Sequence, residues 1–571
     1  MAMIDNSPTG FRETPGDKQR SAFYLLLAFY ILVYILPLGF RPLVIPDETR
    51  YAEIPREMIQ SGDWIAPHLN GLRYFEKPPL GYWLNAISIE LFGENAFAVR
   101  LPAALSAGLI ACLIGLLLRR SRYDRTTALT ASTVFLGTCA VLFTGTFAIL
   151  DMPLSLFLTA GIIFFFVAAE SEHIAYRRRW LLASGVALGL AFLTKGFLAF
   201  VIPGMVLLPW IIWEKRYPLL LQSLWAVAGC LVTVAPWALA IYFREDDFWR
   251  YFIVEEHIKR FTSGDAQHAA PFYYYLICLP PLVFPWLAFI PAAGSGLHRD
   301  LPPSPLYRLL LLWIILPFLF FSISSGKLAT YILPCFVPIT VLLTIGLIAH
   351  LKPERARLFR YGAVFNVLVF ALIIAAFIYW AVSGKAQNVY YTDAEGIKSY
   401  LLSGMLVLSL ALTAGSFLAR NGTVKIGLIA ASAVPLFCAL GFLLPQNIIL
   451  KKAPVEFLQQ MRSTLSGDDV LVADGLLVRA VNWAFKRDDV YMLSPSELEY
   501  GLGLPEGKNR LLDVNRFMEL LENARSEGKS VAVFCKRTCP QGIIESMPAG
   551  TEEYSGGPFK MWLARPPASP D

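Results

Sequence analysis

Ile45-Pro46-Asp47-Glu48-Thr49-Arg50-Tyr51-Ala52-Glu53-Ile54-Pro55-Arg56-Glu57 begins just after an apolar run over 21–40, and Tyr74-Phe75-Glu76-Lys77-Pro78-Pro79 follows it closely. An apolar run of this kind is about the 20 residues needed to cross a hydrocarbon core. Carboxylates and cations set directly beside it sit at headgroup depth, which points to a membrane protein that handles a charged headgroup there. The rest of the chain agrees: 571 residues, 56% hydrophobic, 16% charged, with mean hydropathy +0.53. Such a composition excludes an ordinary soluble globular protein and implies a polytopic α-helical membrane protein. Met1 to Arg20 is polar and no small-residue cleavage pattern ends the first run, so that span is expected to remain in the protein.

Apolar runs of spanning length recur to Pro445 and predict about 13 transmembrane helices, near 21–40, 97–118, 126–147, 150–170, 180–194, 197–213, 219–241, 274–294, 306–323, 329–349, 361–381, 400–419 and 425–445. Basic loops sort to one side: Arg12, Lys18 and Arg20; Arg119, Arg120, Arg122 and Arg125; Arg177 to Arg179; Lys215 and Arg216; Lys352, Arg355, Arg357 and Arg360; Arg420 and Lys425. By the positive-inside rule that side is cytoplasmic, so the net charge of +6 is first a topology marker. An odd number of spans places 41–96, 242–273, 382–399 and the C-terminal segment outside. The domains expected are 1–445, a membrane domain whose first external loop 41–96 carries the chemistry, and 446–571, a soluble α/β unit. Within the loop, Thr49–Gln60 and Asn85–Phe92 read as helices lying along the interface. In the tail, helices are expected at Pro454–Ser463 and Arg516–Glu527, and strands at Val470–Ala473, Val490–Met492, Val531–Cys535 and Met561–Ala564. Six of the eight cysteines lie in or beside spans and read as small buried hydrophobes, whereas Cys535 and Cys539 admit either a disulfide or two free thiols. No repeat or low-complexity tract is apparent.

The polar clusters fall on the external side, and each has two readings. Asp47 is either a helix N-cap or a carboxylate that orients reacting groups and stabilises a cationic sugar. Arg50 and Glu53, one turn apart, form either a plain surface pair or part of a site. Lys77, on an extended Glu-Lys-Pro-Pro stretch, is a point-charge partner for phosphate or a snorkelling lysine. Asp151 reads as an N-cap or a site carboxylate, and Lys195 as a snorkelling residue. Glu76 and His257 have the donor chemistry of zinc ligands, set against a hydrogen-bonded histidine. Arg260 offers a planar fork for phosphate. Lys327 and Tyr331, four residues apart, share a face if their stretch is helical.

Pro46-Asp47-Glu48-Thr49-Arg50-Tyr51-Ala52-Glu53, Gly71-Leu72-Arg73-Tyr74-Phe75-Glu76-Lys77-Pro78 and Glu256-His257-Ile258-Lys259-Arg260-Phe261 together resemble one family. That family is the bacterial undecaprenyl-phosphate 4-amino-4-deoxy-L-arabinose arabinosyltransferases, related to the dolichyl-phosphate-mannose protein mannosyltransferases. Asp265-Ala266-Gln267-His268, Gly326-Lys327-Leu328-Ala329-Thr330-Tyr331, Arg487-Asp488-Asp489-Val490 and Glu499-Tyr500-Gly501-Leu502 extend the likeness over nearly the whole chain. The resemblance implies a C-type membrane glycosyltransferase fold with a periplasmic α/β domain, in the bacterial inner membrane. It implies transfer of aminoarabinose from undecaprenyl phosphate to a lipid A phosphate, which weakens capture of polymyxin and other cationic peptides. It further implies catalytic roles for Asp47, Arg50 and Asp151, donor-phosphate binding by Lys77, Arg260, Tyr331 and Lys327, and zinc held by Glu76 and His257. Neither a nucleotide cofactor nor a nucleic-acid partner is expected. A transferase for another polyprenyl-linked sugar such as mannose, and a lipid flippase or transporter, are the alternatives.

Overall fold

Helices fill most of the apolar runs because a spanning segment must satisfy every backbone amide and carbonyl internally. The computed structural model describes residues 15–259, 268–300, 304–351, 357–382, 391, 395–443, 445–537 and 539–566. Among them, eight helices are long and apolar enough to cross a membrane, or nine if the bent pair Tyr274–Val283 and Leu287–His298, at 91°, is one span. The expected count of 13 is therefore not reached by length and composition. The reasons are local: the run near 126–147 breaks into Arg125–Leu136 and Cys139–Thr144 around Gly137, and Leu198–Trp213 is short.

Small residues let the helices approach. Gly185 in the helix Ile174–Lys195 faces the helix Leu224–Arg244 so closely that an added Cβ would lie 1.8 Å from the Ala226 carbonyl oxygen. With little hydrophobic drive between helices in lipid, such backbone contact is a main source of association. Basic loops gather at one end of the bundle: Arg120 stacks over Tyr176 and Trp180, Arg178 over Trp225, and Arg216 pairs with Glu170 at 2.7 Å.

At the opposite end the first loop folds as a helix Asp47–Ser61, a hairpin of β1 (His68–Leu69) and β2 (Leu72–Arg73), and a helix Leu80–Phe92. The C-terminal unit carries β3 (Val470–Ala473), β4 (Tyr491–Met492), β5 (Val531–Lys536), β6 (Glu552–Gly556) and β7 (Phe559–Ala564) in the order β4-β3-β5-β7-β6. β3 runs parallel to β4 and β5, while β5–β7 and β6–β7 are antiparallel. Cys535, at the end of β5, and Cys539 form a disulfide.

One correction concerns Asp47–Ser61. Its charged side does not lie along headgroups: the C-terminal unit, chiefly the helix Val478–Phe485, covers the part with Glu53, Arg56 and Glu57, and Glu48 is buried against the bundle, so that all four are buried. The two parts share one apolar core, with Ile45, Ile54 and Met58 packed together with Leu477, Val481 and Phe534. Polar contacts fix the register. Asn70 donates to the Val490 carbonyl at 2.7 Å and accepts from the Val490 amide at 3.0 Å and from Asn482 at 2.9 Å. Gly71, at φ +70°, meets the Asp488 carbonyl, which an added Cβ would approach to 2.8 Å. Only glycine meets both demands there.

Candidate active site

The start of the helix Asp47–Ser61 turns neighbouring residues to different tasks, because successive side chains are set about 100° apart. Asp47 is the first helical residue, Pro46 occupies the cap position, and no side-chain cap bond forms, so the N-cap reading of Asp47 is corrected. Its carboxylate stays 46% exposed and accepts from Arg50 Nη2 at 2.7 Å, leaving Oδ2 without a hydrogen bond among the described residues. Glu48, one residue on, is fully buried. It accepts both Arg100 Nε and Nη2 at 2.7 Å, Arg41 Nη1 at 2.9 Å and Nη2 at 3.0 Å, and the Val44 and Ala148 amides at 3.2 Å. Burial alone would raise this carboxyl, but Arg100 and Arg41 overrule it and hold it below the usual range.

Arg50 does not pair with Glu53, which is taken by Arg56 at 2.6 Å. Instead it bridges Asp47 to Glu497 of the C-terminal unit, 2.5 Å from Nη1, and its guanidinium lies over the Tyr51 ring at 5.0 Å. Glu497 also accepts from Arg479 at 2.7 Å and from the Tyr74 hydroxyl at 3.3 Å. Burial pushes the Glu497 carboxyl up, but the charges of Arg50 and Arg479 outweigh it and bring it down to about 2. Sequence reasoning missed Glu497 because the first-loop partners that give it a place in the site, Arg50 and Tyr74, lie more than 400 residues away.

Lys77 donates to the Glu76 carbonyl at 2.8 Å and pairs with Glu256 at 3.2 Å. The Glu76 carboxyl is pushed up, first by burial and then by the charges of Glu497 and Glu256, with Lys77 opposing. Asp151 is not the N-cap of its helix, a place taken by Leu150; its carboxylate pairs with Lys195 at 3.0 Å. Lys195 does not snorkel: it is 14% exposed, and its ammonium lies 4.8 Å from the centre of the Tyr331 ring. Tyr51 joins the two halves, since its hydroxyl, raised to about 12 chiefly by burial, is within electrostatic reach of Arg50, Asp47, Lys195 and Asp151.

Lys327 is separated from this group. Leu328 is extended and Tyr331 sits in the 3-10 helix Ala329–Cys335, so the two do not share a helical face. The Lys327 ammonium donates to the Ala270 carbonyl at 2.9 Å and to Ser324, clasping two loops. Arg260 lies outside the described residues, and so do Asp265 to Gln267; of His257 only the backbone, in the π-helix Tyr251–Lys259, is described. Among the described residues no group of three or more His, Cys, Asp and Glu is placed to hold a metal.

The arrangement offers an exposed carboxylate anchored by a buried arginine, with lysines and a tyrosine hydroxyl beside it, at the end of the bundle that carries the soluble unit. Comparisons with known proteins identify the family. Residues 21–252 match the dolichyl-phosphate-mannose-protein mannosyltransferase family and residues 449–563 match the arabinosyl transferase ArnT, C-terminal domain. A relative from Aeromonas salmonicida is 37% identical over 93% of this chain and 96% of its own length, and one from Erwinia tasmaniensis is 37% identical over 94% and 98%. Both are named undecaprenyl phosphate-alpha-4-amino-4-deoxy-L-arabinose arabinosyl transferase. The crystal structure of ArnT from Cupriavidus metallidurans in the apo state shares the fold, with TM-score 0.81 at 22% identity over 96% of this chain and 98% of that one. The thirty-odd-percent likeness along both the membrane bundle and the soluble unit means that this chain belongs to the undecaprenyl phosphate-alpha-4-amino-4-deoxy-L-arabinose arabinosyl transferase family of membrane glycosyltransferases.

Proposed function

We propose that the protein moves 4-amino-4-deoxy-L-arabinose from undecaprenyl phosphate to a phosphate of lipid A, on the periplasmic face of the bacterial inner membrane. The observation that carries this reading is the convergence of Asp47 with Arg50, Lys77 and the Asp151–Lys195–Tyr331 group at the end of the bundle away from the basic loops. In the reaction the bond between the anomeric carbon and the donor phosphate oxygen breaks, and an acceptor phosphate oxygen forms the new bond to that carbon. The acceptor is already anionic near neutral pH, because a phosphate monoester loses its second proton near pH 6. No strong general base is required. What lowers the barrier is fixed charge aimed at the departing phosphate and at the cationic sugar. Lys77, Lys195 and Tyr331 take the first task, joined by Arg260 from the sequence motif, and Asp47 takes the second. Arg50 acts through Asp47 as a positioning residue, itself held by Glu497.

Zinc bound by Glu76 and His257 is part of the same proposal, as a structural clamp on the first loop. Support comes from the Glu76 carboxyl, buried and crowded by other carboxylates, because a divalent cation would favour its ionised form. The donor set, one carboxylate and one imidazole, suits zinc. Elemental analysis of purified protein is expected to find about one zinc per chain, and much less in Glu76→Gln and His257→Ala; equal content in all three would remove the metal from the account.

The decisive measurement is the mass spectrum of lipid A. Deleting the gene is expected to erase the aminoarabinose mass increment and to sensitise cells to polymyxin, and restoring the gene to bring both back. An unchanged increment in the deletion strain rejects lipid A as the acceptor and favours a different glycan.

A further inference from the structure

Arg479, in the helix Val478–Phe485 of the C-terminal unit, carries a charge into the protein interior: its side chain is 1% exposed, and its Nε is buried without a hydrogen-bond partner among the described residues. A guanidinium in such a place is costly unless it is paired. Among the described residues its one ion pair is with Glu497, from Nη2 to Oε2 at 2.7 Å. Arg50 Nη1 reaches that same oxygen at 2.5 Å. Two guanidiniums from distant parts of the chain thus meet on one atom. Their like charges face each other across it, so where Arg479 holds Glu497 decides where Arg50 can sit.

A second observation concerns the backbone that presents Glu497. Ser496, just before it, has φ +50°, a left-handed conformation uncommon for a residue with a Cβ. Such a residue persists where its surroundings hold it. Arg479 Nη2 also donates to the Ser496 Oγ at 3.3 Å, so one side chain grips both this residue and the carboxylate after it. From the other side Gly475 packs so closely that an added Cβ would lie 2.7 Å from both Ser494 Oγ and Ser496 Cβ, and its amide donates to Ser494 Oγ at 3.1 Å. The helix that carries Arg479 lies on the helix that carries Asp47 and Arg50, with Val478 and Val481 in one core with Ile54 and Met58. Contacts therefore run without a gap from Arg479 to Glu497, on to Arg50 Nη1, and from Arg50 Nη2 to Asp47 Oδ1 at 2.7 Å.

We propose that Arg479 is a positioning residue for transfer: by pinning Glu497 it holds Arg50 against Asp47, and so lets the C-terminal unit set the aim of the carboxylate at the reacting sugar. The inference rests on the transfer reading and on the role given there to Asp47. A carboxylate that acts as the anomeric bond breaks is sensitive to its aim, since a misplacement of about 1 Å can cost on the order of 10²-fold in rate. At 1% exposure Arg479 itself offers no surface to either lipid, so its loss is felt in kcat and not in KM.

The test uses full-length protein in nanodiscs of phosphatidylcholine, assayed with aminoarabinose-bearing undecaprenyl phosphate and lipid A. Arg479→Met removes the charge but leaves Glu497 paired with Arg50, so no carboxylate is stranded. It is expected to lower kcat about 10–100-fold with both KM values within about twofold of wild type. Arg479→Lys is expected to recover most of that loss, because the contact with Glu497 is made through one nitrogen, which an ammonium can copy. Glu497→Gln combined with Arg479→Met is expected to be no slower than Glu497→Gln alone, since one residue acts through the other. Losses that multiply in the double variant, a raised KM with unchanged kcat, or an equal loss in Arg479→Lys would each overturn the proposal. Arg479→Gln takes the place of the methionine variant, with the same expectations, if that variant does not fold. A crystal structure of the uncharged variant gives a readout besides activity: Arg50 swung away from Asp47 supports the proposal, and Arg50 unmoved overturns it. Wild-type protein that puts no aminoarabinose on lipid A rejects the transfer reading instead, and the same structure still decides whether Arg479 positions Arg50.

Discussion

Asp47→Asn lowers kcat by roughly 10²–10³-fold or more, the loss seen when a charge aimed at the transition state is removed, while donor KM stays close to wild type. Lys77→Ala shows the opposite split, raising donor KM more than it lowers kcat. The reasoning starts from geometry. Asp47 is exposed, hydrogen-bonded to Arg50 through Oδ1 alone among the described residues, and outside the cap position, so it contributes little to holding the helix. Asparagine keeps the shape and the acceptor oxygen for Arg50 but removes the negative charge that the proposed mechanism directs at the sugar. A group that stabilises charge only as the anomeric bond breaks affects turnover and leaves ground-state binding alone. In the proposed mechanism Lys77 holds the donor phosphate before any bond breaks, so its loss is felt at binding. Purified protein assayed with defined donor and acceptor lipids separates the two; near-normal turnover by Asp47→Asn returns that residue to a structural role.

Several features of this fold were legible in the sequence because they rest on local order. Apolar runs ended by charge clusters gave the membrane class; residue type and spacing marked Asp47, Lys77 and Tyr331 as candidates with two readings each, and motif likeness favoured the functional one. The strands Val470–Ala473 and Val531–Lys536 stood out as apolar runs because they lie inside the sheet. β6 did not: Glu552-Glu553-Tyr554-Ser555-Gly556 is an edge strand with no buried residue, so it lacks an apolar alternation. Lys195 was discounted because a lysine at a helix end usually snorkels; only the tertiary contact with Asp151 and Tyr331 shows it turned inward. The charged stretch Thr49–Gln60 read as an interfacial helix because its cover, too, is tertiary. Its partners are the soluble unit, Asn70 and Arg487, and no periodicity in the stretch itself reports a cover that arrives from residues 478–490. Membership of an enzyme family also removes the transporter alternative, which span count and charged cavity residues had left open.

Glu48 illustrates the same limit and carries the largest expected effect on stability. In the sequence it is one of several acids in a charged run; in the fold it is, among the described residues, the single carboxylate between Arg100 and Arg41, with Arg100 and Glu48 side chains both 0% exposed. The remaining donors of Arg100 go to the carbonyls of Leu38, Arg41 and Pro42, so the group also fastens the end of the first span to the helix Ala96–Arg120. Removing one partner of a buried pair leaves the other charge uncompensated, at about 3–5 kcal/mol, whereas removing both ends is often near neutral. Glu48→Ala is therefore expected to lose most of its folded yield and to melt well below wild type in detergent, by fluorescence-detected size exclusion. Glu48→Leu combined with Arg100→Leu is expected to recover much of that loss without recovering transfer, since Asp47 depends on the start of its helix. Acid should act in the same direction: the Glu48 carboxyl is held below its unfolded value of 4.5, so its stabilisation is complete above that pH and is lost as the pH falls below it. If Glu48→Ala is monodisperse and melts with wild type, the Arg100 and Arg41 charges must be satisfied without it, and the first loop is fastened to the bundle by apolar packing alone.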